Sequence, residues 1–98
     1  PYNAYPSGVP ELTLVRILIP AHSSLPWHRH PMPNIAYIQS GSLTVENKES
    51  GESKTVRAGE TLPELVGVVH RGVTHDEPAE LLVFYAGAKG QALSETVE

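Results

Sequence analysis

Three histidines are the residues of this chain with the clearest capacity for chemistry. His28 and His30 are separated by one residue in the run Trp-His-Arg-His-Pro, and His70 follows in a second apolar stretch. On a β-strand alternate side chains share a face, so the first two imidazoles would point the same way, about 7 Å apart along the backbone. If His70 faces them, the three side chains offer three ligands to one metal ion.

The elements that position these histidines must come from one small domain. The chain has 98 residues, near the lower limit for closing a hydrophobic core without disulfides or metal. We therefore expect residues 1–98 to form a single domain, with an extended segment over residues 1–10 and a polar tail over residues 89–98. Cysteine is absent, so histidines and carboxylates are the candidate metal ligands, and either redox compartment suits the chain.

Charge and hydropathy argue against two classes of partner. The formal net charge is −4 and the Lys and Arg residues are scattered singly, which disfavours nucleic acid and anionic membranes. The longest apolar stretch, residues 12–19, contains Arg16 and is far shorter than the ~20 residues of a membrane helix, so we expect a soluble protein. Because the chain begins with Pro1 rather than Met, a secretory signal is compatible with it, and cytoplasmic and exported (periplasmic) locations both stay open.

Short apolar or alternating runs, interrupted at regular intervals by Gly, Pro, Ser or Asn, predict an all-β fold. We predict strands at Glu11–Ile19, Trp27–His30, Ile35–Gln39, Ser42–Glu46, Lys54–Arg57, Val66–His70 and Glu80–Ala86. A chain this short removes exposed strand edges by closing on itself or by pairing with a second copy. A small barrel or jelly roll is therefore expected.

Two groups of histidines and glycines resemble the paired motifs of the cupin superfamily, especially of its small single-domain bacterial members. The matching positions are His28, His30, Gly41, Gly59, Gly67 and His70. The departures are His22 in place of a glycine, Asn34 in place of the metal-binding glutamate, Leu65 in place of a proline and Thr74 in place of an asparagine. The resemblance implies a double-stranded β-helix, that is, a jelly-roll or cupin barrel, and a homodimer.

The same resemblance implies that His28, His30 and His70 hold a divalent transition metal in the mouth of the barrel. Three neutral imidazoles leave coordination positions open for water or substrate, as a catalytic metal requires. Asn34 offers a neutral amide oxygen where the family has a carboxylate, so we interpret it as a loose fourth metal ligand or a group that supports the ligands. A site dominated by nitrogen favours Zn, Ni or Cu over Mn or Fe.

One carboxylate is a candidate catalytic group. If residues 64–70 form one unbroken strand, Glu64 shares a face with His70 and enters the same mouth, where it could act as a general base or hold a bound water. Gly67 lies within this run and could break the strand, which would turn Glu64 outward.

Several further side chains are predicted near the site or away from it. The candidates for lining a substrate pocket are Met32, Tyr37 and Tyr85, with core packing or capping of the barrel as the alternative. His22 and His75 belong to loop sequences and are expected at the surface.

Two classes of function follow from these observations, and the sequence leaves both open. In the first, the chain is a small metalloenzyme that binds a small organic substrate for oxygenation, isomerisation or hydrolysis. In the second, it is a non-catalytic, metal-dependent barrel that binds or senses a small molecule. A third alternative is that the histidines hold no metal and are structural.

Overall fold

Two antiparallel β-sheets form the part of the chain that the structure, a computed structural model, describes: residues 8–64 and 66–97. The strands are β1 (Pro10–Ile19), β2 (His28–Arg29), β3 (Asn34–Ser40), β4 (Ser42–Asn47), β5 (Ser53–Arg57), β6 (Thr61–Glu64), β7 (His70–Val73), β8 (Ala79–Ala88) and β9 (Glu95–Thr96). One sheet has the order β1-β8-β3-β6 and the other β5-β4-β7-β2-β9. The all-β prediction is confirmed, and no helix in these residues could span a membrane.

Six of the seven predicted strands lie within two residues of their expected bounds, and the strand predicted at Val66–His70 is wrong. Val66 and Gly67 form a turn, and β7 begins only at His70. Gly67 has a φ of 79°, and its amide donates a 2.9 Å hydrogen bond to the His30 carbonyl. This left-handed conformation, which glycine adopts without steric cost, ends the extended run after β6.

Two strands were not predicted, and each has a physical explanation. β6 contains Pro63, which argues against a strand in most settings, but β6 is an edge strand where a missing N–H is tolerated. β9 lies within the predicted polar tail and pairs with β2, at His28 opposite Thr96 and Arg29 opposite Glu95.

The hydrophobic core lies between the two sheets because apolar residues alternate along the strands. On β3, for example, Ala36 and Ile38 are buried whereas Ile35 and Tyr37 are exposed. The core residues are Ile19, Met32, Ala36, Ile38, Leu43, Val56, Ala79, Leu81, Val83 and Tyr85. Gly41 makes the tight connection from β3 to β4, where a Cβ would lie 2.0 Å from the Pro78 carbonyl oxygen.

The outward side of the first sheet is unusually apolar. Its exposed large hydrophobic residues, which we call the outer apolar face, are Leu12, Leu14, Leu18, Ile35, Tyr37 and Phe84. Leu14 lies opposite Phe84 in the β1–β8 pairing, and Phe84 lies opposite Ile35 in the β8–β3 pairing. A continuous row of apolar side chains therefore crosses three strands on the side of the sheet away from the core.

Candidate metal centre

The three predicted ligand histidines meet at one end of the space between the sheets. His28 lies directly opposite His70 in the β2–β7 pairing, and His30 follows the end of β2. The ring centroids of His28 and His30 are 4.9 Å apart, those of His28 and His70 4.4 Å, and those of His30 and His70 5.1 Å. One ligand nitrogen from each ring lies within 4.8 Å of the other two, a spacing from which three imidazoles can bind one metal ion.

Each of these imidazoles is oriented by a backbone carbonyl. In each ring, Nδ1 is hydrogen-bonded to a backbone carbonyl oxygen: that of Pro26 for His28 (3.0 Å), of Leu93 for His30 (2.8 Å) and of Val68 for His70 (2.9 Å). A carbonyl oxygen only accepts hydrogen bonds, so Nδ1 must carry the hydrogen in all three rings. In the neutral imidazoles the lone pair is therefore on Nε2, the atom that a metal ion binds.

Glu64 lies beside the histidine cluster, as predicted. The unbroken strand over residues 64–70, from which this position was predicted, does not exist. The carboxylate Oε2 of Glu64 contacts Nε2 of His70 and lies 3.7 Å from Nε2 of His30. The placement comes from the β3–β6 pairing, in which Glu64 is directly opposite the buried Asn34. Inward-facing residues of neighbouring strands are brought together by such a pair.

Burial and the Glu64 carboxylate together shift the pKa values of the two buried histidines, His30 and His70, in opposite directions. Burial lowers the pKa of His30, and the other two imidazoles lower it further, while the Leu93 carbonyl and Glu64 offset this in part. Burial also lowers the pKa of His70, but a hydrogen bond and the charge from Glu64, together with the Val68 carbonyl, outweigh burial and raise it above its ordinary value. The contact with Glu64 therefore favours the protonated form of His70 when no metal is bound.

Asn34 is buried beside this cluster with its amide oxygen unpartnered. Its Nδ2 donates a long 3.4 Å hydrogen bond to the Met32 carbonyl, whereas Oδ1 has no hydrogen-bond partner. Among the described residues, Oε2 of Glu64 is the other buried side-chain oxygen without an ordinary hydrogen bond, but it contacts Nε2 of His70. Because an unpaired buried acceptor is costly, Oδ1 of Asn34, on the residue paired across the strands with Glu64, fits a site completed by a cation or its bound water.

The predicted pocket residues fall in three different places. Tyr85 is buried, lines the cavity of the histidines and lies 5.5 Å from His30 between ring centroids. Burial and the charge of Glu64 raise the pKa of Tyr85, so its hydroxyl keeps its proton at neutral pH. Met32 is fully buried and belongs to the hydrophobic core.

The prediction that Tyr37 lines the pocket is wrong. Tyr37 is exposed on the outer apolar face, because it is three positions from Asn34 on β3 and therefore points to the opposite side of the sheet. The loop histidines His22 and His75 are exposed, as predicted. Leu65, where the family has a proline, lies outside the described residues.

Two adjoining cavities share Glu64 and His70. The inner cavity, of about 70 Å³, is also lined by His28, His30 and Tyr85. The outer cavity, of about 300 Å³, opens beside the β4–β5 hairpin. The outer volume suits a small organic molecule, and the shared residues place one end of such a molecule next to the histidines.

The sequence did not reveal the part that the C-terminal segment plays at the site. The Leu93 carbonyl fixes the His30 ring, and the segment is held by an ion pair between Arg29 and Glu95 (3.0 Å) and by a 2.8 Å hydrogen bond from the Val97 amide to the Trp27 carbonyl. Every residue has a backbone carbonyl, so a contact made by one does not depend on the residue type. No local pattern could have indicated it.

Two packed sheets with a histidine cluster at one end are typical of a β-barrel metal-binding domain, and comparison with protein families identifies which one. The model of the cupin domain matches residues 15–85, so the chain belongs to the cupin family. No curated protein sequence matches it significantly.

Solved structures of similar fold support the double-stranded β-helix. The DMSP lyase DddQ from Ruegeria pomeroyi DSS-3 is 23% identical with a TM-score of 0.78, covering 88% of this chain and 43% of the lyase. The polyketide cyclase RemF from Streptomyces resistomycificus is 22% identical with a TM-score of 0.76, covering 89% of this chain and 61% of the cyclase. An RmlC-like cupin from Methanocaldococcus jannaschii, described as a double-stranded β-helix, is 17% identical with a TM-score of 0.71, covering 78% of this chain and 70% of that protein. This chain therefore spans less than two thirds of the lyase and of the cyclase, and the likeness concerns the fold.

Proposed function

We propose that this chain is a small metalloenzyme that acts on a small organic substrate at a divalent metal held by His28, His30 and His70. The observation that carries the proposal is the convergence of three Nε2 atoms whose Nδ1 atoms are all engaged by backbone carbonyls. A set of rings merely packed together would not require the same tautomer three times. The same fold occurs in a lyase and a cyclase, so it is compatible with an enzyme.

The surrounding residues have separate roles in this proposal. Asn34 supports the centre through its unpartnered Oδ1, as a loose ligand or by a hydrogen bond to a bound water. Glu64 receives or returns a proton at its carboxylate, which borders both cavities. Tyr85 closes the inner cavity with a protonated hydroxyl near His30. A bound divalent ion supplies a Lewis acid with open positions for water or a substrate oxygen, and three imidazoles favour Zn, Ni or Cu.

Metal analysis of protein purified without a histidine tag tests the centre. We expect about one equivalent of divalent metal in the unmodified chain and clearly less in His28→Ala, because one of the three imidazole ligands is lost. His75→Ala is the matched control, since His75 is an exposed loop histidine outside the cluster. Far less than one equivalent in the unmodified protein would show that the histidines are structural.

A substrate panel distinguishes the enzyme from a binding protein. In a broad panel of small organic molecules, we expect turnover by the metal-loaded protein and a rate about 100-fold lower in Glu64→Gln. If instead no compound is converted but one raises the melting temperature only when metal is present, a non-catalytic binding or sensing barrel replaces the enzyme.

We also propose that the chain forms a homodimer. The outer apolar face gives this proposal its physical support, because its leucines at positions 12, 14 and 18 are each more than three-fifths exposed. Contiguous exposed apolar surface of this kind usually marks an interaction site. Within the described residues of this face, Arg16 and Glu80 pair with each other, so these two charges require no charged partner.

A further inference from the structure

We infer that Glu64 supplies an oxygen ligand to the metal, from β6 rather than from the strand that carries the glutamate of the family motif. The inference rests on the proposed metal centre and deepens it. The family position on β3 is occupied by Asn34, and Glu64 is its direct partner across the β3–β6 pairing. A carboxylate has therefore moved by one strand while remaining at the same end of the barrel.

The hydrogen-bond pattern of the histidines carries the argument. Because Nδ1 holds the hydrogen in each neutral ring, Nε2 of His70 presents a lone pair to the carboxylate Oε2 of Glu64. Oε2 also lies 3.7 Å from the lone pair on Nε2 of His30. Two lone pairs and an anionic oxygen in contact repel each other unless a cation lies among them. In the metal-free protein a proton on His70 can serve, and a metal ion serves all three atoms at once.

The distance between Glu64 and His30 is compatible with shared coordination, while the closer contact with His70 is that of a hydrogen bond in the metal-free protein. Two ligand atoms bound about 2.1 Å from a tetrahedral ion lie about 3.4 Å apart. The 3.7 Å between Oε2 of Glu64 and Nε2 of His30 is close to that value. A residue that merely supported a ligand would contact Nδ1, and all three Nδ1 atoms are already engaged by backbone carbonyls.

Burial explains why the oxygen points inward. The Glu64 side chain is only 15% exposed, and its Oε2 contacts Nε2 of His70. An ionised carboxylate in such a place requires a positive partner, since its desolvation is otherwise uncompensated. With Oε2 on the metal, Oε1 remains for the proton transfer proposed above, so the two roles of Glu64 are compatible.

The oxygen ligand has a consequence for metal preference. Three imidazoles alone favour Zn, Ni or Cu, whereas a carboxylate adds the anionic oxygen that Mn(II) binds well. The affinity for Mn(II) should therefore depend on Glu64 more strongly than the affinity for Zn(II).

The test compares the unmodified protein with Glu64→Gln, and with Glu77→Gln as a control at an exposed loop carboxylate. Dissociation constants for Zn(II) and Mn(II) are measured by competition with a chelator, and the visible spectrum of the Co(II) form reports the ligand set. We expect Glu64→Gln to weaken Mn(II) binding at least about tenfold, to weaken Zn(II) binding less and to shift the Co(II) bands. Glu77→Gln should leave all three unchanged.

A measurement on the unmodified chain covers the case in which Glu64→Gln fails to fold. In protein labelled with carbon-13 at glutamate, addition of Zn(II) should move the carboxyl resonance of Glu64 and leave that of Glu77 in place. Unchanged affinities and Co(II) spectrum in a folded Glu64→Gln, or an unmoved Glu64 resonance on saturation with Zn(II), would overturn the inference while leaving the three-histidine centre intact. If the unmodified protein binds no divalent metal, the proposed function and this inference fail together.

Discussion

At the scale of single residues, the site is a balance between nitrogen lone pairs and one carboxylate. Burial makes a charged His30 unfavourable, whereas Glu64 stabilises a charged His70. Both residues are histidines, and the difference between their pKa shifts arises because His70, and not His30, contacts the carboxylate directly. In the metal-free protein, protonation is therefore favoured at Nε2 of His70, and a metal ion bound there would compete with that proton.

This difference predicts the order in which the two rings titrate in chelator-treated, metal-free protein. We expect the pKa of His70 above 6.5 and that of His30 below 6.5, as followed by NMR of the imidazole resonances. His70 then contributes stability that is fully present below pH 6.5 and is lost as the pH rises through its folded-state pKa. His30 has the opposite sign: its contribution is present above pH 6.5 and is lost as the pH falls through its folded-state pKa.

The control for this titration is Glu64→Gln, which removes the charge that raises the pKa of His70. Its His70 resonance should titrate at lower pH than in the unmodified protein. A His30 that titrates above His70 would contradict the electrostatic description of the site.

At the scale of elements, period-2 patterning predicted most of the strands, and the errors come from contacts distant in sequence. Parity along β3 would have excluded Tyr37 from the pocket once Asn34 was assigned to it, so that error was avoidable. The place of Glu64 was different, because it depends on a pairing with β3 that Pro63 concealed. The contribution of β9 was likewise invisible, since the segment acts through the Leu93 backbone.

The C-terminal segment is expected to be necessary for metal affinity. A chain ending at Gln91 lacks the Leu93 carbonyl that orients His30 and lacks β9, which pairs with His28. Loss of a group that orients a ligand typically weakens metal binding about 10- to 100-fold, so a Zn(II) dissociation constant raised by at least tenfold is expected. Arg29→Gln is the control, because it breaks only the exposed ion pair with Glu95.

Circular dichroism of both proteins verifies that the fold survives. A shortened chain that is folded and binds Zn(II) as tightly as the full one would show that the Leu93 contact does not matter. A large loss of affinity in Arg29→Gln would instead assign the effect to the surface ion pair.

At the scale of the whole molecule, the β1 edge and the outward side of the first sheet expose apolar surface. The ten-residue strand β1 forms one edge, and its outward side chains continue the outer apolar face. A long apolar edge strand invites pairing with another chain unless it is covered. A two-fold dimer covers the same patch on both copies at once, which makes it the simplest arrangement that removes this surface from water.

Phe84→Glu should therefore convert the protein from a dimer to a monomer. Phe84 lies between Leu14 and Ile35 in the apolar row, and an isologous contact would bury the new carboxylate twice, next to its symmetry copy. Burying an unpaired carboxylate costs several kcal/mol, so a rise of at least about 100-fold in the dimer dissociation constant is expected. The molar mass measured by light scattering after size exclusion should be twice the 10.6 kDa of one chain for the unmodified protein and 10.6 kDa for Phe84→Glu. Ala92→Glu adds the same charge at an exposed position outside the face and should stay dimeric. A monomeric unmodified protein, or a Phe84→Glu protein that stays dimeric, would show that the outer apolar face has another purpose.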